Sequence, residues 1–313
     1  MMIFSEEQVR TGLPWTVLID ALRQAFIDGV ELPQRQHFDV GTPGLPGTLL
    51  IMPAWKRAEY VGIKLVTVFP SNRRESLPAL TSVYTLFDGR TGRVLAQIDG
   101  GELTARRTAA ASVLAAQFLA RPESSSLLVM GTGRVSRNLA QAYCSAFPIE
   151  RIAVWGRSPD KAAIIAEELA PLAPSVQAAG DLAGSLARAD IVTTATLARD
   201  PIVLGRHLRP GTHVDLVGSF QPGMREADDD TIAAAAEIFV DTFNGAIKEA
   251  GDLAMPLASG VLARGNIVAD LAMLCRRTHP GRTDASAVTI FKSVGTALED
   301  LAGAMALVRA VKT

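Results

Sequence analysis

The chain has 313 residues, 48% of them hydrophobic and 20% charged, which gives room for two ordinary domains with buried cores. The formal net charge of −1 excludes electrostatic capture of nucleic acid or of an anionic membrane surface, because both need a basic excess. No segment is typical of a secretion signal or a membrane span. The two cysteines lie in apolar helical patterns, which suits a reducing compartment. We therefore expect a cytoplasmic protein whose ligands are small molecules.

Residues 1–121 are predicted to form an α+β domain with antiparallel strands. The amphipathic helix WTVLIDALRQAFIDG comes first, and the strand candidates GTLLIMPAW, YVGIKLVTVF, TSVYTLFD and RVLAQIDGG follow, with turn residues between them. Strand candidates separated in this way favour an antiparallel meander. The alanine-rich helix TARRTAAASVLAAQFLA ends the domain, and RPESSS marks the boundary.

Residues 122–289 are predicted to form a Rossmann-like domain. Short apolar runs such as SLLVMG, RIAVWG and THVDLVG alternate with helical patterns such as NLAQAYCSAF and KAAIIAEELAPL. This alternation is typical of βαβ units around a parallel sheet buried on both faces, so the predicted fold class is α/β. After Asp241 we expect helices, and residues from about 290 to 313 are expected to pack back on the first domain, which would bind substrate and form a dimer.

The stretch LLVMGTGRVSRNLAQAY is typical of a dinucleotide-binding turn. Gly131 permits the tight bend, Gly133 lets backbone N–H groups approach a pyrophosphate, and Ser136 stands where a third glycine allows close packing of helix and strand. An incomplete fingerprint is a weak signal alone. Its position after an apolar strand and before a helix strengthens the prediction.

The next strand, RIAVWG, ends at a position that distinguishes the two nicotinamide dinucleotides. NAD enzymes tend to carry an acidic residue there for the ribose 2′-hydroxyl. This chain has Gly156, Arg157 and Ser158 instead. Because arginine binds phosphate through a charge-assisted fork, the sequence favours NADPH over NADH.

Several cations of the first domain do not fit a packing role. Lys64 lies between apolar residues in a strand candidate, so its side chain points to the opposite face from theirs. Arg106 and Arg107 are about 100° apart on a helix, so at most one faces a given cleft. Together with Arg35, these cations suggest capture of a carboxylate in an interdomain cleft. For Lys64 alone, the solvent-facing side of a half-exposed sheet is the alternative.

Long stretches of the chain resemble the ornithine cyclodeaminase and mu-crystallin family, in the family's order and spacing. They are GTLLIMPAW, VGIKLVTVFPSN, LFDGRTGRVLAQIDGGELTARRTAAAS, MGTGRVSRNLAQA, VDLVGSFQPGMREAD and FKSVGTALEDLA. The resemblance covers nearly the whole chain. It implies a homodimer built through the first domain, and a site where a cyclic imino acid meets the nicotinamide.

By motif position, the resemblance implies two sets of site residues. The substrate would be bound by Arg35, Lys64, Arg107 and Val294. With the glycines of the two turns, the cofactor-binding set comprises Thr81, Arg107, Gly131, Thr132, Gly133, Arg134, Val135, Gly156, Arg157, Ser158 and Ser293. Lys64 is the predicted catalytic residue, and it either joins the carboxylate site or donates a proton to nitrogen; the sequence leaves both roles open.

Phe220 decides between reactions of the family. Ornithine cyclodeaminases carry an aspartate at the matching position, and phenylalanine cannot move protons, whereas a positioned acid or base contributes about 10²–10⁴ in rate. The form GSF.P.MRE is similar to the family's ketimine reductases, which reduce Δ1-pyrroline-2-carboxylate or Δ1-piperideine-2-carboxylate to proline or pipecolate. We therefore expect NAD(P)H-dependent ketimine reduction. Phe220 either packs inside its domain or forms an apolar wall against the substrate ring.

Two other functions stay open at this point. One is cyclodeaminase or alanine dehydrogenase activity, and the other is a non-enzymatic ligand-binding role like that of mu-crystallin. Glu226 and Asp228 are expected to cap the helix DDTIAAAAEIF, and His37 is expected in an exposed loop. None of the four histidines has metal-ligand spacing, so no metal is expected.

Overall fold

A computed structural model describes residues 1–75 and 77–312, and the chain divides into two compact units. The first unit comprises Met1–Arg107 together with the C-terminal residues from Ala297, and the second is Thr108–Thr296. The divisions therefore fall after residues 107 and 296, whereas the sequence pattern placed them near residues 121 and 290. The first division lies inside the alanine-rich helix rather than after it.

Strands dominate the first hundred residues, and helices and strands alternate along most of the rest of the chain. Up to Leu119 the elements are Met2–Phe4 (β1), Glu6–Gly12 (α1), Trp15–Asp28 (α2), Gln36–Asp39 (β2), Thr48–Lys56 (β3), Tyr60–Val68 (β4), Leu80–Asp88 (β5), Val94–Asp99 (β6) and Gly100–Leu119 (α3). They continue as Ser126–Met130 (β7), Arg134–Ala146 (α4), Arg151–Trp155 (β8), Pro159–Leu169 (α5), Ser175–Ala178 (β9), Leu182–Arg188 (α6), Ile191–Thr194 (β10), His213–Leu216 (β11), Asp229–Ala234 (α7), Ala235–Val240 (β12), Phe243–Glu249 (α8), Gly251–Ser259 (α9), Ile267–Asp270 (β13), Leu271–Cys275 (α10), Val288–Lys292 (β14) and Ala297–Lys312 (α11).

The first unit contains a six-stranded sheet in the order β1-β6-β5-β4-β3-β2. Strands β3 to β6 form the predicted antiparallel meander. At the sheet's edges, β1 pairs with β6 in parallel and β2 pairs with β3 in antiparallel. The sequence pattern missed these two edge strands because three or four residues are too few to show a period of two.

One face of this sheet packs on helices. Lys64 pairs with Met52 on β3 and with Tyr84 on β5, and all three side chains are buried. Helix α11 packs on β3, β4 and β5, as well as on α2, and Leu301 and Leu307 join the core. The C-terminal helix therefore returns to the first unit, as predicted. Lys64 lies on the covered face, so the alternative of a solvent-facing lysine is wrong.

The second unit contains an eight-stranded sheet in the order β13-β12-β14-β11-β10-β7-β8-β9. Every pairing in it is parallel, which confirms the predicted Rossmann-like architecture. Val192, Val214 and Ile290 are fully buried in its core. From β7 the chain runs outward through β8 to β9 and then crosses back to β10 on the other side of β7, so the sheet has its switch point between β7 and β10. Ligands of open α/β sheets bind at the carboxyl ends of the strands at such a point.

Two secondary-structure predictions in the second unit are wrong. The run DDTIAAAAEIF does not form one helix, because α7 ends at Ala234 and β12 begins at Ala235. Pairing with β13 and β14 outweighs the helix propensity of alanine. The region after Asp241 is not all helical either, since it contributes β13 and the central strand β14. A buried strand of only four or five residues cannot be told from a helix by periodicity.

The thiols of Cys144 and Cys275 are both free. Across residues 1–75 and 77–312, no helix is long and apolar enough to cross a membrane. The same residues contain no group of three or more His, Cys, Asp or Glu side chains that could hold a metal ion.

Candidate active site

A buried ionic cluster lies in the first unit between β4, α3 and α11. The Oδ2 atom of Asp300 is 2.6 Å from Nζ of Lys64, and its Oδ1 atom accepts a hydrogen bond from Nε of Arg107 at 3.0 Å. The Nη1 atom of Arg107 is 2.6 Å from Oε2 of Glu299. All four residues are buried, with at most 5% of their surface exposed. The structure thus brings together two of the predicted site residues through two acids that the sequence analysis did not single out.

The two acids stand in the first turn of α11, where the helix dipole favours negative charge. Glu299 and Asp300 interrupt an otherwise apolar helical run, ALEDLAGAMALV. Fully buried carboxylates are rare unless they are paired, so this interruption is the sequence signal that would have found them. It does not by itself name their partners.

The environment of the cluster shifts the pKa values of its members. Burial lowers the pKa of Lys64, and although Asp300 partly offsets this, the value falls to about 8. Burial also opposes the charge of Arg107, but Asp300 and Glu299 outweigh it and raise its pKa. For Asp300, burial is outweighed by Lys64 and Arg107, which lower the pKa of the carboxyl. Lys64 is therefore the member best suited to exchange a proton near neutral pH.

Arg106 takes no part in this cluster. Its Nη2 atom donates to the carbonyl of Leu13 at 2.5 Å, and its guanidinium lies 3.9 Å from the centre of the Trp15 ring. Arg106 and Arg107 therefore face different parts of the first unit, as their helical spacing predicts.

The other predicted residues of the first unit lie apart from the cluster. Arg35 is half-buried directly before β2, and the sheet order places that strand two positions from the strand of Lys64. His37 is exposed, as predicted, but it lies in β2 rather than in a loop. Thr81 is exposed in β5, three residues before Tyr84, the cross-strand partner of Lys64. Strand alternation therefore puts Thr81 and Lys64 on opposite faces of the sheet.

The glycine turn lies at the carboxyl end of β7, at the switch point of the second sheet. Gly131 has φ +130°, and a Cβ atom there would lie 2.5 Å from Oγ of Ser136 and 2.6 Å from the carbonyl oxygen of Ala195. Gly133 is the N-cap of α4 and supplies no side-chain cap, and the space around it is open. The first N–H groups of α4 are thus left for an anion. These residues fit a dinucleotide pyrophosphate.

The remaining residues of the turn surround this helix end. Thr132 and Val135 are half-buried and Arg134 is exposed. A Cβ atom on Gly156 would lie 2.7 Å from Cγ2 of Thr132, so the turn after β8 closely approaches the turn after β7. The predicted cofactor-binding residues of these two turns therefore lie together at the sheet's carboxyl edge.

Arg157 and Ser158 follow β8 at the same edge. Arg157 is exposed, and its guanidinium has no hydrogen bond or ion pair with the described residues. Ser158 is the N-cap of α5, and its hydroxyl accepts from the backbone N–H of Lys161 at 3.4 Å. Ser158 thus has a capping role that the sequence analysis did not assign.

Glu226 holds neighbouring strand ends together. The expectation that it caps α7 is wrong: its fully buried carboxylate accepts hydrogen bonds from Oγ1 of Thr194, from N and Oγ1 of Thr196, and from N of Gly218, at 2.7 to 2.8 Å. A helix cap needs its carboxylate at the first turn of the helix, whereas all of these donors to Glu226 lie at the ends of β10 and β11. Asp228, two residues on, caps α7 as predicted.

The end of β14 is held in a similar way. Asp241 accepts a hydrogen bond from the backbone N–H of Val294 at 2.7 Å. The Nζ atom of Lys292 lies 3.3 Å from Oδ2 of Asp252, and both side chains are fully buried. Ser293 is buried and Val294 is half-buried. These two predicted site residues therefore occupy a fixed strand end on the same carboxyl edge as the glycine turn.

Phe220 follows β11 and is 42% exposed, and Leu197 follows the neighbouring β10 and is 55% exposed. A phenylalanine that served only to pack would be buried in the core. The alternative that Phe220 simply packs inside its unit is therefore disfavoured, and an apolar surface stands at the sheet's carboxyl edge.

The parallel sheet and glycine turn of the second unit define a Rossmann-type dinucleotide-binding protein, and the buried ionic cluster lies in the first unit. Residues 2–312 match the model of the ornithine cyclodeaminase/mu-crystallin family, and the chain belongs to this family. The resemblance read from the sequence is thereby confirmed.

The chain is similar to three proteins of known name in sequence or in structure. The chain is 40% identical over 290 residues to a Δ(1)-pyrroline-2-carboxylate reductase of Paracoccus denitrificans, covering 92% of this chain and 90% of that protein. Its structure is similar to that of Thermococcus litoralis Δ(1)-pyrroline-2-carboxylate reductase in complex with NADH and L-proline, with a TM-score of 0.93, 30% identity and coverage of 100% of this chain and 98% of that one. An archaeal alanine dehydrogenase dimer with bound NAD gives a TM-score of 0.89 at 26% identity, covering 100% and 96%.

Proposed function

We propose that the protein is an NADPH-dependent ketimine reductase that converts Δ1-pyrroline-2-carboxylate to L-proline and Δ1-piperideine-2-carboxylate to L-pipecolate. The observation that carries this proposal is the buried cluster of Lys64, Arg107 and Asp300 in a chain that also has a dinucleotide turn. Relatives named Δ(1)-pyrroline-2-carboxylate reductase support it. We also propose a cytoplasmic location, because both cysteines are free thiols and a reducing compartment keeps them so.

The reaction needs a hydride at the imine carbon, a proton at the ring nitrogen and a fixed carboxylate. A nicotinamide dinucleotide bound at the glycine turn supplies the hydride. Arg107 keeps its Nη2 atom without a partner among the residues described, while Glu299 and Asp300 fix its guanidinium plane. We assign Arg107 and Arg35 to the substrate carboxylate. Fixed placement and charge of this kind supply the catalysis that such a reaction requires.

Position 220 favours reduction over cyclodeamination. Phe220 has no acidic proton to exchange, and its exposed ring at the strand end suits contact with the carbon ring of a cyclic imine. Alanine dehydrogenase activity is the second candidate, since the archaeal alanine dehydrogenase shares the fold over the whole chain. A non-enzymatic binding role is the third.

The choice of NADPH rests on Arg157. Its guanidinium is exposed at the carboxyl end of β8 and has no partner within the described part of the chain. No acidic side chain occupies positions 156–158, so nothing there selects the free 2′-hydroxyl of NADH. An unpaired arginine beside the N-terminus of α5 suits the 2′-phosphate of NADPH.

The outward face of the first sheet supports a homodimer. Strand registers place Ile3, Phe38, Leu65 and Val83 on the face opposite Lys64, and these side chains are 38% to 69% exposed. Several exposed apolar side chains on one face of a sheet are typical of a protein contact. We propose a second copy of the chain as its partner, because the archaeal relative is described as a dimer.

The proposal is tested by following NADPH absorbance with purified protein and each cyclic imine. We expect rapid NADPH oxidation with at least one imine, and loss of turnover in Lys64→Met but not in the matched control Lys161→Met, since Lys161 is exposed on α5. Ammonia release from ornithine or alanine would instead favour the second candidate. Tight NADPH binding with no turnover would favour the binding protein.

A further inference from the structure

The carboxylate of Asp300 is divided between two cations. Its Oδ2 atom lies 2.6 Å from Nζ of Lys64 and its Oδ1 atom lies 3.0 Å from Nε of Arg107, and the side chain is fully buried. A carboxylate stays ionised in such a place only when opposite charges and hydrogen bonds compensate it. Each oxygen of Asp300 therefore orients one of the two side chains, Lys64 or Arg107.

The charges of the cluster balance before any ligand binds. Lys64 and Arg107 contribute two positive charges, and Glu299 and Asp300 contribute two negative charges. Lys64 is thus no isolated cation, because its ammonium already faces a carboxylate. A substrate carboxylate placed on the same ammonium would lie beside Asp300, and like charges in a buried site repel strongly. Arg107 is paired with Asp300 and Glu299 through its Nε and Nη1 atoms, and its Nη2 atom, which has no partner among the described residues, is left for the substrate carboxylate.

We infer that Asp300 is a positioning residue that holds Lys64 as the proton donor to the ring nitrogen, an inference that rests on the proposed reductase function. As the hydride forms the new C–H bond, the electron pair of the C=N double bond takes a proton from Nζ. The N–H bond forms while the Nζ–H bond breaks, and Lys64 is left as a neutral amine hydrogen-bonded to the Asp300 carboxylate. A proton from solvent water then restores the ammonium. In this arrangement the carboxylate of the substrate is held by Arg107 and Arg35.

The groups that face Lys64 come from three elements. Asp300 and Glu299 stand on α11, and Tyr84 is the cross-strand partner on β5. Arg107 and Thr104 stand on α3, and Oγ1 of Thr104 accepts a hydrogen bond from Nζ of Lys64 at 3.4 Å. Burial and Arg107 lower the pKa of Lys64, whereas Asp300 and Glu299 raise it, with Asp300 the larger of the two. The Tyr84 hydroxyl stays neutral, because burial first and then Asp300 raise its pKa. Loss of Asp300 therefore lowers the pKa of Lys64 further below about 8.

The pH profile of kcat/KM tests this coupling. Reduction requires the ammonium, so the rate falls on the alkaline side as Lys64 loses its proton. In Asp300→Asn this alkaline limb is expected to move to lower pH. The same imine is used with the wild type and with Asp300→Asn, so a shift of the alkaline limb between them reflects a group of the protein and not the ionisation of the substrate. Glu299→Gln is the matched control, because it removes the same charge from the same helical turn, and it should move the limb less while raising KM through Arg107. An unmoved limb in Asp300→Asn, or equal shifts in both variants, would overturn the inference.

A second variant covers the case in which Asp300→Asn does not fold. Lys64→Arg keeps a cation opposite Asp300, but a guanidinium does not release its proton. If Lys64 is the donor, Lys64→Arg loses about 10²–10⁴ in kcat with unchanged NADPH affinity. If Lys64 only binds the carboxylate, Arg retains most of the rate, and the inference is overturned.

A third measurement separates this inference from the proposed function. The side-chain resonance of Lys64 in lysine-labelled protein, assigned by its loss in Lys64→Arg, is titrated by NMR without substrate. Asp300→Asn should lower the titration midpoint of Lys64. Asp300→Glu should leave the midpoint at or above the wild-type value, because glutamate keeps the negative charge. Coupling seen in this titration without imine turnover by the wild type would refute the reductase function alone. An unchanged midpoint in Asp300→Asn would refute the role of Asp300.

Discussion

Arg157 stands at the carboxyl end of β8 with its side chain exposed. If it binds the 2′-phosphate of NADPH, Arg157→Ala removes a charge-assisted contact, and such hydrogen bonds contribute about 1.5–3 kcal/mol. We predict that the Kd for NADPH rises about tenfold or more while the Kd for NADH stays unchanged. Fluorescence titration of the bound dinucleotide measures both constants.

The same strand supplies the control for this prediction. Arg151 is also exposed and begins β8 at its opposite end, so Arg151→Ala should leave both dissociation constants unchanged. Equal losses for NADPH and NADH in Arg157→Ala would show that the arginine does not read the phosphate.

At the level of single residues, the sequence predicted the position of those side chains that belong to a recognisable local pattern. Strand alternation put Lys64 on the face opposite its apolar neighbours, and the glycine pattern marked the turn that leaves the N-terminus of α4 without a side-chain cap. Asp300 and Arg107 are 193 residues apart in the sequence, so their contact could not be predicted from any local pattern. An acid inside an apolar helix signals a buried partner, but only the fold identifies which cation that partner is.

At the level of elements, Glu226 ties the ends of β10 and β11 into one edge. Glu226→Gln puts an amide N–H group where an oxygen now accepts from the backbone of Thr196 or Gly218. Leaving one buried donor unsatisfied costs about 1–3 kcal/mol, and we predict a loss of that size in the free energy of unfolding. Urea denaturation followed by circular dichroism measures it.

Asp228→Asn is the matched control, because it makes the same change two residues away. Asparagine caps a helix about as well as aspartate does, so stability should stay within about 0.5 kcal/mol of the wild type. Similar losses in both variants would mean that Glu226 has no special part in holding the strand ends.

The elements that the sequence misassigned share one physical cause. The residues of β12 begin in an alanine-rich run, and those of β14 form a short segment of five buried residues, VTIFK. Both owe their conformation to pairing with strands distant in the sequence, which local propensity does not contain. The longer strands β3 to β6 show a clear alternation, and they were predicted almost to the residue.

At the level of the whole molecule, the apolar outer face of the first sheet predicts the oligomeric state. Leu65 lies on this face and is 38% exposed. Leu65→Glu would bury a carboxylate in the proposed dimer contact, which is costly when unpaired. We predict that the dimer dissociation constant rises about 100-fold or more, as measured by sedimentation equilibrium.

Ile164 provides the comparison, since it is apolar and 54% exposed on α5 of the second unit. Ile164→Glu should leave the dimer intact. A wild type that sediments as a monomer, or a dimer insensitive to Leu65→Glu, would place the contact elsewhere.

The central claim, that the chain reduces a cyclic imine at carbon, is tested most directly by tracing the hydride. NADPH carrying deuterium at the transferable position of its nicotinamide is incubated with the protein and Δ1-pyrroline-2-carboxylate, and the product is analysed by mass spectrometry. We predict L-proline with one deuterium at its α-carbon, formed in equal amount to the NADPH consumed. Unlabelled proline, or deuterium transfer only in a parallel incubation with pyruvate and ammonia, where the label enters alanine, would contradict the account.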